Sequence, residues 1–158
     1  MYEKPGLFRS AVMSFVLLLA LPLWANEGHA DDGIEQAVEY RQSIMGVIGW
    51  NFKHMAGMMK GKIPYDQKAF AAHARELATA ADHNILSGFP EDSDDSDETA
   101  AKAEIWMSWD DFEEKLKALR VEAKALDAVA AKGDKEAISQ QFGKTGKTCK
   151  ACHKEYKE

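Results

Sequence analysis

The sequence predicts an all-α chain folded as an antiparallel up-down-up-down four-helix bundle, and three observations carry that expectation. Apolar residues recur at spacings of three and four through four segments. Runs of alternating Val, Ile, Thr and aromatics, which strands need, are almost absent. Glycine, proline or acidic residues punctuate each junction. Four amphipathic helices with mostly short connections bury their stripes on one another, which is the physical basis of a bundle.

The first element is not part of that bundle. Lys4 and Arg9 precede an apolar run of thirteen residues, Ala11 to Leu23, interrupted only by Ser14 and Pro22. A membrane span takes about 20 apolar residues, so an uncleaved anchor is the weaker reading. A basic start, a short apolar centre and small residues at a cut site mark a secretory signal peptide. The predicted division is therefore a signal over residues 1–30 and one folded domain over 31–158, with no stable membrane insertion after cleavage. Cleavage after Ala30 is favoured because Asp31 opens a polar segment leading into a helical pattern; cleavage after Ala25 is the alternative.

The first helical stripe runs Ile34, Val38, Arg41, Met45, Ile48, Phe52, Met55, Met59 and stops near Gly61 and Pro64. In the second, Phe70, Ala74, Leu77, Ala81 and Ile85 follow an N-cap at Asp66 and end at Ser87-Gly88-Phe89-Pro90. Glu91 to Glu98 follows, six of its eight residues acidic, and repulsion favours a solvated loop there. The third stripe, Trp109, Phe112, Leu116, Leu119, Ala123, Leu126 and Ala130, holds a heptad spacing between an N-terminus at Ser108 and Gly133. The fourth begins after Asp134 and carries Ile138, Phe142, Cys149, His153 and Tyr156. Gly143 and Gly146 inside it each cost about 1 kcal/mol relative to Ala, so something should need their lack of a side chain.

The net charge is -6. Removing the leader takes two charges of each sign and leaves that balance unchanged. An acidic domain without a basic stripe argues against nucleic-acid binding.

Chemistry concentrates at Cys149-Lys150-Ala151-Cys152-His153, a C-x-x-C-H pentad that reads as a c-type haem attachment site. Two thiols one helical turn apart can each add to one haem vinyl group, and the adjacent imidazole can ligate the iron. Export agrees, since thioether attachment belongs to the far side of the bacterial inner membrane. A thioredoxin-like dithiol would sit at a helix N-terminus after a strand, a structural zinc site would want four protein ligands, and a short disulfide with a bystander His is the plainest alternative.

Beyond the pentad, Glu39-Tyr40-Arg41-Gln42-Ser43, Lys60-Gly61 followed by Pro64-Tyr65-Asp66, Phe89-Pro90, Glu104-Ile105-Trp106 and the stretch Cys149 to Lys157 together resemble the class II cytochromes c, cytochrome c prime and its relatives. The resemblance covers about Ile34 to Lys157. It implies one haem c per chain, anchored through Cys149 and Cys152 with His153 on the iron, in a periplasmic homodimer that binds and carries rather than catalyses. It places Arg41 and Gln42 near the haem, with a propionate as a partner for Arg41, and Glu98 or Thr99 close to the haem in the following loop. Read from its stripe alone, Arg41 could instead pack its stem and reach water with its head. Lys157 matches a basic position near the proximal face.

Met45, one turn beyond Arg41, falls at the distal position that the resemblance implies. A packed thioether there leaves the iron open to nitric oxide or carbon monoxide; a bonded one gives Met/His ligation suited to electron transfer with a periplasmic redox partner. The packed arrangement is the expectation. Enzymatic turnover ranks below both, since no distal His is evident. Met55, Met58 and Met59 read as packing, and His54, His73 and His83 as solvent-facing or weakly packed residues without paired spacing.

Overall fold

The computed structural model describes residue 1, residues 28–94 and residues 99–158. Four long helices carry the stripes: α1 (Gly28–Met59), α2 (Gln67–Ala81), α4 (Trp109–Lys132) and α5 (Lys135–Tyr156), with a single turn, α3 (Glu104–Met107), before α4. Among the described residues there is no strand, only an isolated bridge between Ala101 and Lys157. The leader lies outside the described residues apart from its two ends, Met1 and Gly28 to Ala30, and the last three residues open α1. No described helix is long and apolar enough to cross a membrane.

Local chemistry sets the boundaries. α1 ends where Gly61 takes a φ of 69° and the Lys62 and Ile63 amides donate to Gly57 O at 2.9 and 3.2 Å. Asp66 caps α2 by accepting from the Ala69 amide at 2.6 Å. α2 stops at Ala81 rather than running to Ile85, which is buried in a 3-10 turn over Ile85–Gly88. The Ser87 hydroxyl donates to Asn84 O there, offering the backbone a turn in place of a helix. Ser108 makes no side-chain cap, contrary to the sequence expectation: its amide closes α3 on Glu104 O, so one residue ends α3 and starts α4. Gly133, with φ 80°, ends α4, and Asp134 caps α5 through the Glu136 and Ala137 amides.

The stripes converge on one core of Ile48 and Met55, Phe70 and Leu77, Phe112 to Leu126 on the α4 stripe, and Ile138. α1 packs on α2, α2 on α4, and α4 on α5. The remaining edge is different. α1 and α5 lack such extended packing and meet at one end, where Phe52 stacks on Phe142 with centroids 4.5 Å apart. A Cβ on Gly146 would lie 3.0 Å from Phe52 Cζ, so this glycine permits the approach; Gly143 faces open space and its presence has no structural account. Along the rest of that edge the helices stand apart around a slot. Its mouth is crossed by the segment 99–102, where Lys102 N donates to Tyr156 O at 3.1 Å and Glu158 N to Ala100 O at 3.0 Å.

Candidate functional site

Two cavities of about 400 and 250 Å³ fill the slot, and Met45, Cys152 and His153 line both. α1 and α5 thus present Met45 and the pentad to one space. The larger cavity continues past Arg41, Gln42, Phe89, Thr99, Ile105 and Phe112; the smaller continues past Ile48, Phe52, Lys115 and Cys149.

Cys149 and Cys152 are half-buried free thiols on successive turns of α5. Burial pushes both thiols up, Cys152 to about 11 even though Lys115 pulls it down, so both are protonated at neutral pH. At His153, desolvation and then the charge of Lys157 hold the imidazole below its ordinary pKa. The neutral ring is the form that ligates metal.

Arg41 is almost wholly buried, at 3 % exposure, and its head does not reach water. Its Nη1 donates to Gly88 O at 2.8 Å and Ser93 Oγ at 2.7 Å; its Nη2 donates to Ser93 O at 2.6 Å and Thr99 Oγ1 at 2.7 Å. The guanidinium also lies 4.5 Å from the Phe89 ring centroid. Burial lowers its pKa, with Asp94 opposing. Gly88, Ser93 and Thr99 are therefore gathered around this cation, and the described part of the acidic run is not uniformly solvated: Ser93 is fully buried, and Asp92 has φ 63°. Gly88 belongs to the same device, since a Cβ there would meet Arg41 Cβ at 2.8 Å and Ala37 O at 3.1 Å. Gln42 borders the larger cavity, as does Thr99; Glu98 lies outside the described residues.

Lys115 was not foreseen in the sequence. From α4 it reaches Asp111 Oδ2 and Glu155 Oε2, each at 3.1 Å, and Asp111 also accepts from the Tyr156 hydroxyl. The i,i+4 relation to Asp111 was available as a signal; the reach to Glu155 on α5 was not.

The donor set fits a covalently attached haem. Two neutral thiols a turn apart and one neutral imidazole border a mostly apolar slot open on both sides of them. The rival readings fit less well, because α5 follows a helix rather than a strand, both cysteines are free, and among the described residues no three His, Cys, Asp or Glu side chains gather as a metal cluster. Residues 36–157 match the family profile described as Cytochrome C'. The chain belongs to the cytochrome c' family. It is 38 % identical over 128 residues to cytochrome c' of Halomonas halodenitrificans, covering 78 % of this chain and 96 % of that one. Cytochrome c' from Shewanella frigidimarina superposes with a TM-score of 0.75 at 39 % identity, covering 79 % and 96 %. A nitric oxide complex of a single-residue variant of the Alcaligenes xylosoxidans protein gives 0.70 at 31 %, covering 79 % and 95 %. As a cytochrome c', the chain is a haem-binding four-helix bundle that carries one haem c.

Proposed function

We propose that this cytochrome c' is an exported, periplasmic gas-binding protein whose haem is anchored by Cys149 and Cys152, ligated by His153, and open to nitric oxide or carbon monoxide on the Met45 side. The observation that carries this reading is the make-up of the slot. Apart from His153, its described lining contains no imidazole or carboxylate, and Met45 is the thioether that borders both cavities. When bound, the haem supplies the iron position at which a diatomic gas is held. Each thiol would add its S–H across one vinyl double bond, sulfur to one carbon and hydrogen to the other, with no electrons lost.

The chain's own residues do the rest. Met45, Ile48, Phe89 and Phe112 keep much of the slot apolar, and a lining without a second imidazole or a carboxylate supports binding over turnover. Arg41 holds the segment that supplies Thr99 and Phe89. Their place on the larger cavity, beside Cys152 and His153, supports a position for Arg41, Gln42 and Thr99 near the cofactor. Signal removal after Ala30 or Ala25, leaving the domain from residue 31, and a homodimer complete the proposal. The domain division and the dimer rest on the sequence reading; export agrees with thioether attachment.

A second reading has its own support: Met45 borders both cavities beside His153, so a bonded thioether would give a low-spin electron carrier. Spectroscopy of wild type and Met45→Leu separates the two. High-spin ferric and ferrous spectra that Met45→Leu leaves nearly unchanged, with direct carbon monoxide binding, are expected. A low-spin spectrum that Met45→Leu converts to high-spin would overturn gas binding. Colour retained by the polypeptide through acid-acetone extraction, and lost on replacing both Cys149 and Cys152 by Ala, tests the anchor.

A further inference from the structure

His54 and His73 are nineteen positions apart in the numbering and on different helices, with no spacing that pairs them. The α1–α2 hairpin brings their rings together, centroids 5.0 Å apart and planes 22° from parallel, away from the slot. Both are half-exposed.

Their hydrogen bonds fix which nitrogen is available. His54 Nδ1 lies 2.9 Å from Trp50 O, an acceptor, so it carries the proton of the neutral ring. His73 Nδ1 lies 2.8 Å from Asn51 Oδ1. Asn51 is buried and its Nδ2 donates to Val47 O, so its oxygen faces His73 and accepts. Both neutral rings therefore keep their protons on Nδ1 and leave the Nε2 lone pairs free of the bonds that hold Nδ1. An oxygen behind each ring, fixing tautomer and orientation, is the outer-shell arrangement that accompanies metal-bound histidine.

We propose that His54 and His73 form a two-imidazole site for a divalent late transition ion, copper(II) in first place, that bridges α1 and α2 outside the haem slot. Two protein donors are too few for a closed structural zinc site. Half-exposed rings leave room for water to complete the coordination sphere. Imidazole suits copper, nickel and zinc, and copper(II) binds most strongly of the divalent series at a given site. Metal–nitrogen bonds of about 2.0–2.1 Å require the two Nε2 atoms to lie within twice that length. The rings stand stacked across the hairpin, so binding one ion turns the side chains until the two in-plane Nε2 lone pairs converge on it.

The test is a titration of the haem-loaded protein with copper(II) chloride, read by equilibrium dialysis and by electron paramagnetic resonance of the copper. Expected are one ion per chain at this site, hyperfine structure from two imidazole nitrogens, and an unchanged haem absorption spectrum. Outer-shell partners alone are worth about 10–100-fold in affinity, so His54→Gln and His73→Gln should each weaken binding at least about tenfold. His83→Gln, on an exposed residue outside the pair, should leave it unaltered. Circular dichroism verifies that the variants fold. Affinity unchanged in either Gln variant, or a wild-type copper signal with fewer than two imidazole nitrogens, would overturn the proposal.

Discussion

Replacing Arg41 with Met keeps most of the packed stem and removes every donor, which isolates what the guanidinium does. Four acceptors lose their partner: Gly88 O, Ser93 O, Ser93 Oγ and Thr99 Oγ1. Hydrogen bonds to charged groups contribute about 1.5–3 kcal/mol each. Thr99 is half-buried and can turn to water, and the Ser93 hydroxyl keeps a second bond to Pro90 O. The two carbonyls have no such relief, so the net loss should be about 3–5 kcal/mol. Urea unfolding followed by far-ultraviolet circular dichroism would report it as a lowered midpoint at constant slope. Arg41→Lys should recover only part of the loss, since an ammonium lacks the planar fork that serves two carbonyls and two hydroxyls at once. A loss below about 1 kcal/mol for Arg41→Met, with unchanged protease resistance between residues 88 and 99, would refute the claim that this segment is organised by the cation.

Three further outcomes follow from the packing, caps and charge pairs. Leu126→Ala empties a fully buried site on α4 and should cost about 2–5 kcal/mol, whereas Lys117→Ala on the exposed face should stay within about 0.5 kcal/mol by the same urea assay. Asp134→Ala removes an oxygen that accepts from two amides at the start of α5 and should lower stability by about 1 kcal/mol, with Asp134→Asn largely restoring it. Hydrogen bonding to Asp111, then burial, raises the Tyr156 phenol to about 12, so its contribution is complete below its ordinary value near 10 and lost as pH climbs through about 12. Melting temperatures between those pH values should therefore fall more steeply for wild type than for Tyr156→Phe. Asp111, held low by Tyr156 and Lys115, acts oppositely, its contribution fading as pH drops below the ordinary carboxylate range.

The long helices were legible because each stripe writes its period into consecutive residues, and the caps at Asp66, Gly133 and Asp134 are local chemistry. The pentad was legible for the same reason, with five residues carrying all of its donors. What stayed hidden depends on partners distant in the chain. Arg41 could be seen as a charge on an apolar stripe, but two of its four acceptors are backbone oxygens, and no residue pattern announces where a carbonyl will point. His54 and His73 looked unrelated because helical spacing describes neighbours on one helix and is blind to the facing one. Ser108 misled because a cap assignment presumes an empty turn before it, and α3 fills that turn.

The segment 99–102 has a consequence for how the protein opens. Among the described residues it is fastened to α1 by the Arg41 bond to Thr99 and to the end of α5 and the chain after it by two backbone bonds. Parting these breaks few bonds and leaves the core between α2 and α4 intact, so its free energy lies below that of global unfolding. Amide exchange should sort the molecule accordingly, with Lys102 and Glu158 exchanging well before Leu119 and Leu126. The slot thus behaves as a drawer with a latch: a planar guest would reach Cys152 by unfastening this one edge of an otherwise folded chain.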